Sequence, residues 1–175
     1  MAALTALTDF RARKDELYRS SLESPLLPEQ KRAFSGLNYY AESSEYDFEL
    51  VPEPFAEQEL IEMQTSTGEE ASYLRWARIS IPLESGAVNL TVFRDPGSGS
   101  LFLPFQDAGR GVETYGAGRY VEAEELDDGR LRVDFNYAYN PYCAYNDGWS
   151  CPLPPSENRL NVHVRAGEKV FHAGQ

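Results

Sequence analysis

The chain is poor in several of the residues on which chemistry usually depends. Two Cys and two His stand among 175 residues, with two Trp and two Met, too few for a disulfide framework or a dense metal cluster. Basic side chains are also in short supply: 16 Lys and Arg against 28 Asp and Glu leave a net charge of −12. That charge repels phosphate backbones and anionic lipid headgroups, so neither nucleic acid nor a membrane surface is an expected partner. No apolar run approaches the roughly 18 residues of a membrane span. No positive N-terminal region precedes an apolar stretch, so no signal peptide is expected. With two free thiols, Cys143 and Cys151, these absences point to a cytoplasmic protein. No nucleotide fingerprint or nucleophile elbow is present, so no reaction follows from a motif.

What the chain has in quantity is aromatic surface. Eleven Tyr and nine Phe lift aromatics to 13%, enough to bury a core, and the length predicts one domain over residues 1–175. Residues 1–40 read as a helix and a connection, and 46–165 as a β body with a long loop at 140–158. Leu4, Leu7, Phe10, Leu17, Tyr18 and Leu22 recur at helical spacing, predicting an amphipathic helix over 4–22 with Arg11, Arg13 and Lys14 on its solvated side. Thr8 and Asp9 would cap a shorter helix, and Pro25 and Pro28 end either version. Glu29 to Phe34 predicts one helical turn. The aromatic connection through Tyr39 and Tyr40 is expected to lie across the body.

From Tyr46 the period becomes two. Strands are predicted around 46–50, 60–65, 72–83, 88–92 and 101–105. A hairpin follows, 117–126 with 130–139, joined by Asp128-Gly129 as a type I′ turn, then a last strand over 159–165. About seven to nine strands after one helix, without alternating helices, predict a mainly β (α+β) fold: an antiparallel barrel or sandwich.

Polar, aromatic, Gly and Pro residues crowd the stretch 105–161. It carries Phe105-Gln106-Asp107, Glu113-Thr114-Tyr115-Gly116-Ala117-Gly118-Arg119-Tyr120, Asp134-Phe135-Asn136, Ala138-Tyr139-Asn140-Pro141, Cys143-Ala144-Tyr145 and Cys151-Pro152 through Glu157-Asn158. Together with Phe34-Ser35-Gly36-Leu37, these blocks resemble the uncharacterised bacterial and archaeal family called domain of unknown function 1684. The resemblance covers about a third of the chain and implies no activity. Ala108-Gly109-Arg110 departs from the Thr-Ser-Gly typical of that family.

Read physically, Gly116 and Gly118 permit close approach, either by another part of the chain or by a ligand. Asp134, Asn136, Arg119 and Glu113 fall on polar faces of neighbouring strands, within reach of one another. Arg119 paired with Asp134 or Glu157 would clamp the loop 140–158; the same groups around a hollow would hold a ligand. The candidate ligand-binding residues are Asp107, Glu113, Tyr115, Arg119, Asp134, Asn136, Tyr145, Glu157 and Asn158. The leading expectation is a small-molecule-binding β domain with a polar, Tyr-lined pocket for a cation or a sugar-like ligand. A rival is a hydrolase-like enzyme using Asp107, Glu113 or Asp134 as acid or base with Arg119 as anion clamp; a third is a purely structural domain. No cofactor or metal is expected: Cys143, Cys151, His163 and His172 lack close zinc spacing, and Asp107, Glu113 and Asp134 lack a calcium-loop pattern. A Cys-His pair from either thiol with His163 is the remaining nucleophilic option.

Overall fold

The computed structural model describes residues 5–172. Among the described residues nine strands form two antiparallel sheets, preceded by two helices. The smaller sheet runs β1 (Asp47–Leu50), β9 (Leu131–Asp134), β8 (Ala123–Glu125). The larger runs β2 (Glu53–Pro54), β4 (Glu70–Leu83), β5 (Gly86–Arg94), β6 (Leu101–Phe105), β7 (Arg119–Val121), with β3 (Leu60–Gln64) also on β4. Of the two expected architectures the sandwich is the one that forms: the sheets do not close into a barrel. Ile79, Ile81, Leu90, Val92, Leu103 and Phe105 from the larger sheet meet Leu50, Leu131 and Val133 from the smaller in one core, as period-two strands facing across a sandwich require.

The 117–126 segment is not one strand. Val121 pairs with Leu103 in the larger sheet, and two residues later Ala123 pairs with Val133 in the smaller. The chain therefore changes sheet at Glu122, a corner of the kind sandwiches make where a strand bends. The hairpin that follows closes with Gly129 donating its N–H to the Leu126 carbonyl at 3.0 Å, while Leu126 N–H reaches the Arg130 carbonyl at 2.8 Å. Gly129 has φ +86 and no non-glycine residue has positive φ among the described residues. A type I′ turn needs two such residues, so the loop is instead an ordinary turn followed by a left-handed glycine. The second arm is shorter than its alternation suggests. The Asp134 carboxylate accepts the Asn136 N–H at 3.0 Å and caps a 3-10 turn over Phe135–Tyr137, and this local bond competes with continuing the ladder.

Residues 159–165 do not form the expected strand. Leu160 and Val164 are buried, but the segment runs beside the end of β6 with a single parallel bridge, Gln106 to Arg159. Alternation was a true sign of its burial and a false sign of its pairing.

The N-terminal helix α1 spans Ala6–Ser20, and its cap is Thr5, whose hydroxyl accepts the Thr8 N–H at 3.1 Å. The side it docks is rotated from the expected one. Leu7, Arg11, Lys14 and Tyr18, at spacings of four, three and four, face the body: Leu7 and Tyr18 are buried, and Arg11 donates to the carbonyls of Tyr40 and Asn136. Phe10 and Leu17 remain partly exposed, and Leu22 is fully so; Leu4 lies outside the described residues. Arg11 and Lys14 are thus docking groups, and only Arg13 of the three matches the solvated face. A six-residue helix, α2 (Pro28–Ala33), occupies the predicted helical turn. Phe34 and Leu37 then join Tyr18, Leu26 and Tyr145 in a second apolar cluster.

Candidate functional site

Arg119 opens β7 and is 1% exposed. Its terminal nitrogens donate to the carbonyls of Val164 (2.9 Å), Ala166 (2.6 Å) and Glu168 (2.9 Å) and, at 3.5 Å, to the Asp107 carboxylate. Asp107, equally buried, also accepts from Thr114 Oγ1 and from the Val164 N–H, each at 2.8 Å. Burial pulls the guanidinium pKa down, and the nearby Asp107 charge opposes that shift. The partner is Asp107, neither Asp134 nor Glu157. A guanidinium already shared among three carbonyls and a carboxylate has no fork left for a substrate anion, so the hydrolase reading loses its clamp.

Asn158 is fully buried and fills a gap in the larger sheet. The register that pairs Phe93 with Phe102 sets Thr91 opposite Pro104, which has no N–H to give. The Asn158 amide supplies the missing group: Oδ1 accepts the Thr91 N–H, and Nδ2 donates to the carbonyls of Thr91 and Pro104, all at 2.8 Å. Its neighbour Glu157 accepts from Thr91 Oγ1 at 2.8 Å and holds Arg75 bidentately, the closest contact also being 2.8 Å.

Asn136 locks the 3-10 turn to residue 43, accepting the Ser43 N–H (2.9 Å) and donating to its carbonyl (2.8 Å) and to Asp134 Oδ1 (2.8 Å). Glu113 lies on another flank. It accepts from the Tyr40 hydroxyl at 3.0 Å and Arg165 Nε at 3.2 Å, with His163 Nδ1 3.5 Å away; these donors, the Tyr40 hydroxyl foremost, hold its carboxyl below the usual range. Tyr115 donates to Cys143 Sγ at 3.5 Å. The close approach at Gly118 is made by the protein itself: its φ is +107, and a Cβ there would sit 2.7 Å from the Phe105 carbonyl oxygen. The structure therefore brings Asp107 and Arg119 together, and Asp134 with Asn136. Glu113, Glu157 and Asn158 belong to other networks, and Glu113 lines one hollow while Asp134 lines another.

Both thiols are free and buried, with Cys151 pushed up to about 11, first by burial. Among the described residues no group of three His, Cys, Asp or Glu side chains is placed to hold a metal, and His163 neighbours Glu113, not a thiol.

One cluster escaped the sequence reading. Glu168, 2% exposed, accepts from the Asn140 N–H at 3.1 Å and from the Tyr145 hydroxyl at 2.9 Å, and forms an ion pair with Lys14 of α1. The Lys14 ammonium also lies 5.5 Å from the Tyr18 ring centroid and 5.3 Å from that of Tyr139, within cation–π range. Burial, with the Glu168 charge second, raises the Tyr145 hydroxyl well above its ordinary pKa and keeps it a donor. Lys14 and Glu168 are 154 positions apart, in segments where one charged residue looks like any other.

Tyr139 also borders open space. Where the strand pattern ends, a groove of about 490 Å³ is walled by the rings of Phe10, Tyr137 and Tyr139 and rimmed by Glu122, Glu124 and Asp134, with Arg132 at its edge. Phe10 meets Tyr137 edge to face at 5.1 Å, and the Tyr139 hydroxyl donates to Glu122 at 3.0 Å. A second hollow of about 460 Å³ runs along α1 past Leu17 and Tyr142 and shares Phe10 and Tyr139. A wider depression, about 780 Å³ between Tyr46, Leu83, Val162 and Arg165, offers one tyrosine ring, and its His163 and Arg165 are engaged by Glu113.

Residues 32–169 match the model of a family described as a protein of unknown function, DUF1684. The chain belongs to the DUF1684 family. A structural relative agrees: the solution NMR structure of an uncharacterised protein from Haloarcula marismortui is 37% identical, with a TM-score of 0.71 over 93% of this chain and 91% of that one. No curated protein matches the sequence. The DUF1684 match spans the whole sandwich and the Arg119, Asn158 and Glu168 networks, whereas α1, which contributes Lys14 and Phe10, precedes it. Among the described residues no helix is long and apolar enough to cross a membrane.

Proposed function

We propose that the protein is a non-catalytic, small-molecule-binding β domain whose ligand enters the Tyr-lined groove at the corner between the two sheets. The observation that carries this reading is the groove of Phe10, Tyr137 and Tyr139, three rings left partly open beside unburied carboxylates. Its volume falls in the range of small-ligand sites, which combine apolar walls with a few polar groups. Most of the polar residues predicted as a site act as internal braces, so the groove takes over the role first expected of Tyr115 and Tyr145. The two free thiols support a reducing, cytoplasmic setting.

A thermal-shift screen of small polar and charged compounds tests the reading. A ligand at 100 times its dissociation constant adds about 2.7 kcal/mol, a rise of about 5–10 °C for a chain of this size. The rise must vanish in Tyr137→Ala. Hits that stabilise Tyr137→Ala as much as the native chain, or a screen without hits, would remove the proposal.

A further inference from the structure

We infer that the ligand of this groove is a small organic cation, an alkyl or quaternary ammonium; the inference rests on the ligand-binding reading of the same groove. Three carboxylates, Glu122, Glu124 and Asp134, rim it against the single guanidinium of Arg132. That guanidinium is already matched, because Asp47 receives Nε at 3.2 Å and Nη2 at 3.0 Å. Glu122 is oriented by the Tyr139 hydroxyl, and one oxygen of Asp134 is occupied by Asn136. Glu124 stands opposite Arg132 across the β8–β9 ladder and makes no side-chain hydrogen bond or direct ion pair among the described residues; with Asp47, Asp134 and Glu122 nearby, four carboxylates share that one guanidinium. The rim therefore carries unmatched negative charge above aromatic faces, and the net charge of −12 adds long-range attraction for cations.

An anion meets repulsion at that rim. A neutral sugar would leave its charge uncompensated. A cation with an apolar shell satisfies both parts, since ring quadrupoles and carboxylates attract it together while its methyl or methylene groups cover the rings. The protein uses the same combination internally: the Lys14 ammonium lies over Tyr139 with the Glu168 carboxylate beside it.

Choline and 3,3-dimethylbutan-1-ol have the same shape and differ in charge, so their affinities, measured by calorimetry and by NMR shifts, isolate the electrostatic part. Choline is expected to bind at least about tenfold more tightly, to weaken between 0.05 and 0.5 M salt as about the Debye length shrinks, and to lose about threefold in Glu124→Gln. The alcohol should be unaffected by salt and by Glu124→Gln. Equal affinity for the two compounds would overturn the cation and leave a ligand groove standing. Binding of neither compound, or binding unchanged in a Tyr137→Ala variant of native circular dichroism, would overturn both.

Discussion

Replacing Arg119 separates a brace from a clamp. In Arg119→Met the apolar stem of the side chain is kept, so the Phe105 ring, 5.0 Å from the guanidinium carbon, retains a neighbour of similar shape. What is lost is the fork. The carbonyls of Val164, Ala166 and Glu168 lose a donor, and Asp107, 1% exposed, keeps its charge with only Thr114 and Val164 to stabilise it. Breaking a buried ion pair from one side costs about 3–5 kcal/mol, and each buried acceptor left without a partner adds about 1–3 kcal/mol before water enters. A loss of about 4–6 kcal/mol is expected, near the total stability of many domains. With a urea slope of about 2 kcal/mol/M, the midpoint should fall by about 2–3 M, or the variant should fail to fold. Arg119→Lys keeps the charge but not the planar fork and should fall between. Asp107→Asn combined with Arg119→Met should cost less than the sum of the two singles, because neither charge is then stranded. Urea unfolding followed by circular dichroism reads all four proteins. An Arg119→Met midpoint within 0.5 M of native, about 1 kcal/mol, would refute the account, and a folded variant that lost only ligand affinity would restore the clamp.

Asn158→Asp should destabilise by about 3 kcal/mol, since an anion would face the carbonyls of Thr91 and Pro104 where an amide now donates; denaturant unfolding checks it. Lys14→Met should cost about 3 kcal/mol by stranding Glu168, and amide exchange in α1 should speed up far more than in β4 or β5. The Cys151 thiol, pushed up to about 11, should resist iodoacetamide at pH 8 in the folded chain and react on unfolding. Because its proton is held more tightly in the folded state than in the unfolded one, its contribution to stability is present below the ordinary thiol pKa near 8.5 and is lost as pH rises towards about 11. In Tyr40→Phe the Glu113 carboxyl should titrate higher than in the native chain, because the hydroxyl that does most to stabilise its charge is gone; carbon-detected NMR titration reads the change, and an unchanged midpoint would contradict the assignment.

The strands that the sequence reveals are those whose partners are other strands. Alternation from Arg78 to Leu83 and from Val88 to Val92 marks β4 and β5 because each has a ladder on it and one face in the core. Alternation at 159–165 and 135–139 misleads for a shared reason. There the inward residues are buried just as they would be in a strand, but the ladder is interrupted: Asp107 takes the Val164 N–H and Asp134 that of Asn136, while isolated backbone bonds such as Leu160 N–H to the Gln106 carbonyl and the Tyr120–Tyr139 pair take others. Period two reports which side is buried and is silent on what the amides bind. The docking face of α1 was hidden differently. Arg11 and Lys14 look like solvent residues until their partners, the Tyr40 and Asn136 carbonyls and Glu168, are brought under the helix. Of the predicted site, the segment 105–158 was legible as unusual, but polar density alone does not separate a brace from a pocket.

A physical reason ties these observations together. The chain from Gln106 to Gly118 and from Asn158 to Glu168 crosses the body without regular ladders, so the buried amides and carbonyls that its scattered backbone bonds leave over must be met by side chains. Asp107 and Arg119 meet them, and Asn158 and Glu168 do the same for neighbouring backbone at Thr91, Pro104 and Asn140, so these polar side chains are spent on bracing. The proposed binding groove lies where regular structure stops. At Glu122 the chain leaves one sheet for the other, and after Asp134 the strand gives way to a turn. Beside these two breaks Phe10 packs edge to face on Tyr137, and Tyr139, whose backbone pairs with Tyr120, leaves its ring partly open beside them. The groove is thus a by-product of the corner, and its carboxylate rim follows from the acidic residues of the corner, β8 and β9 that the sandwich has no cause to bury.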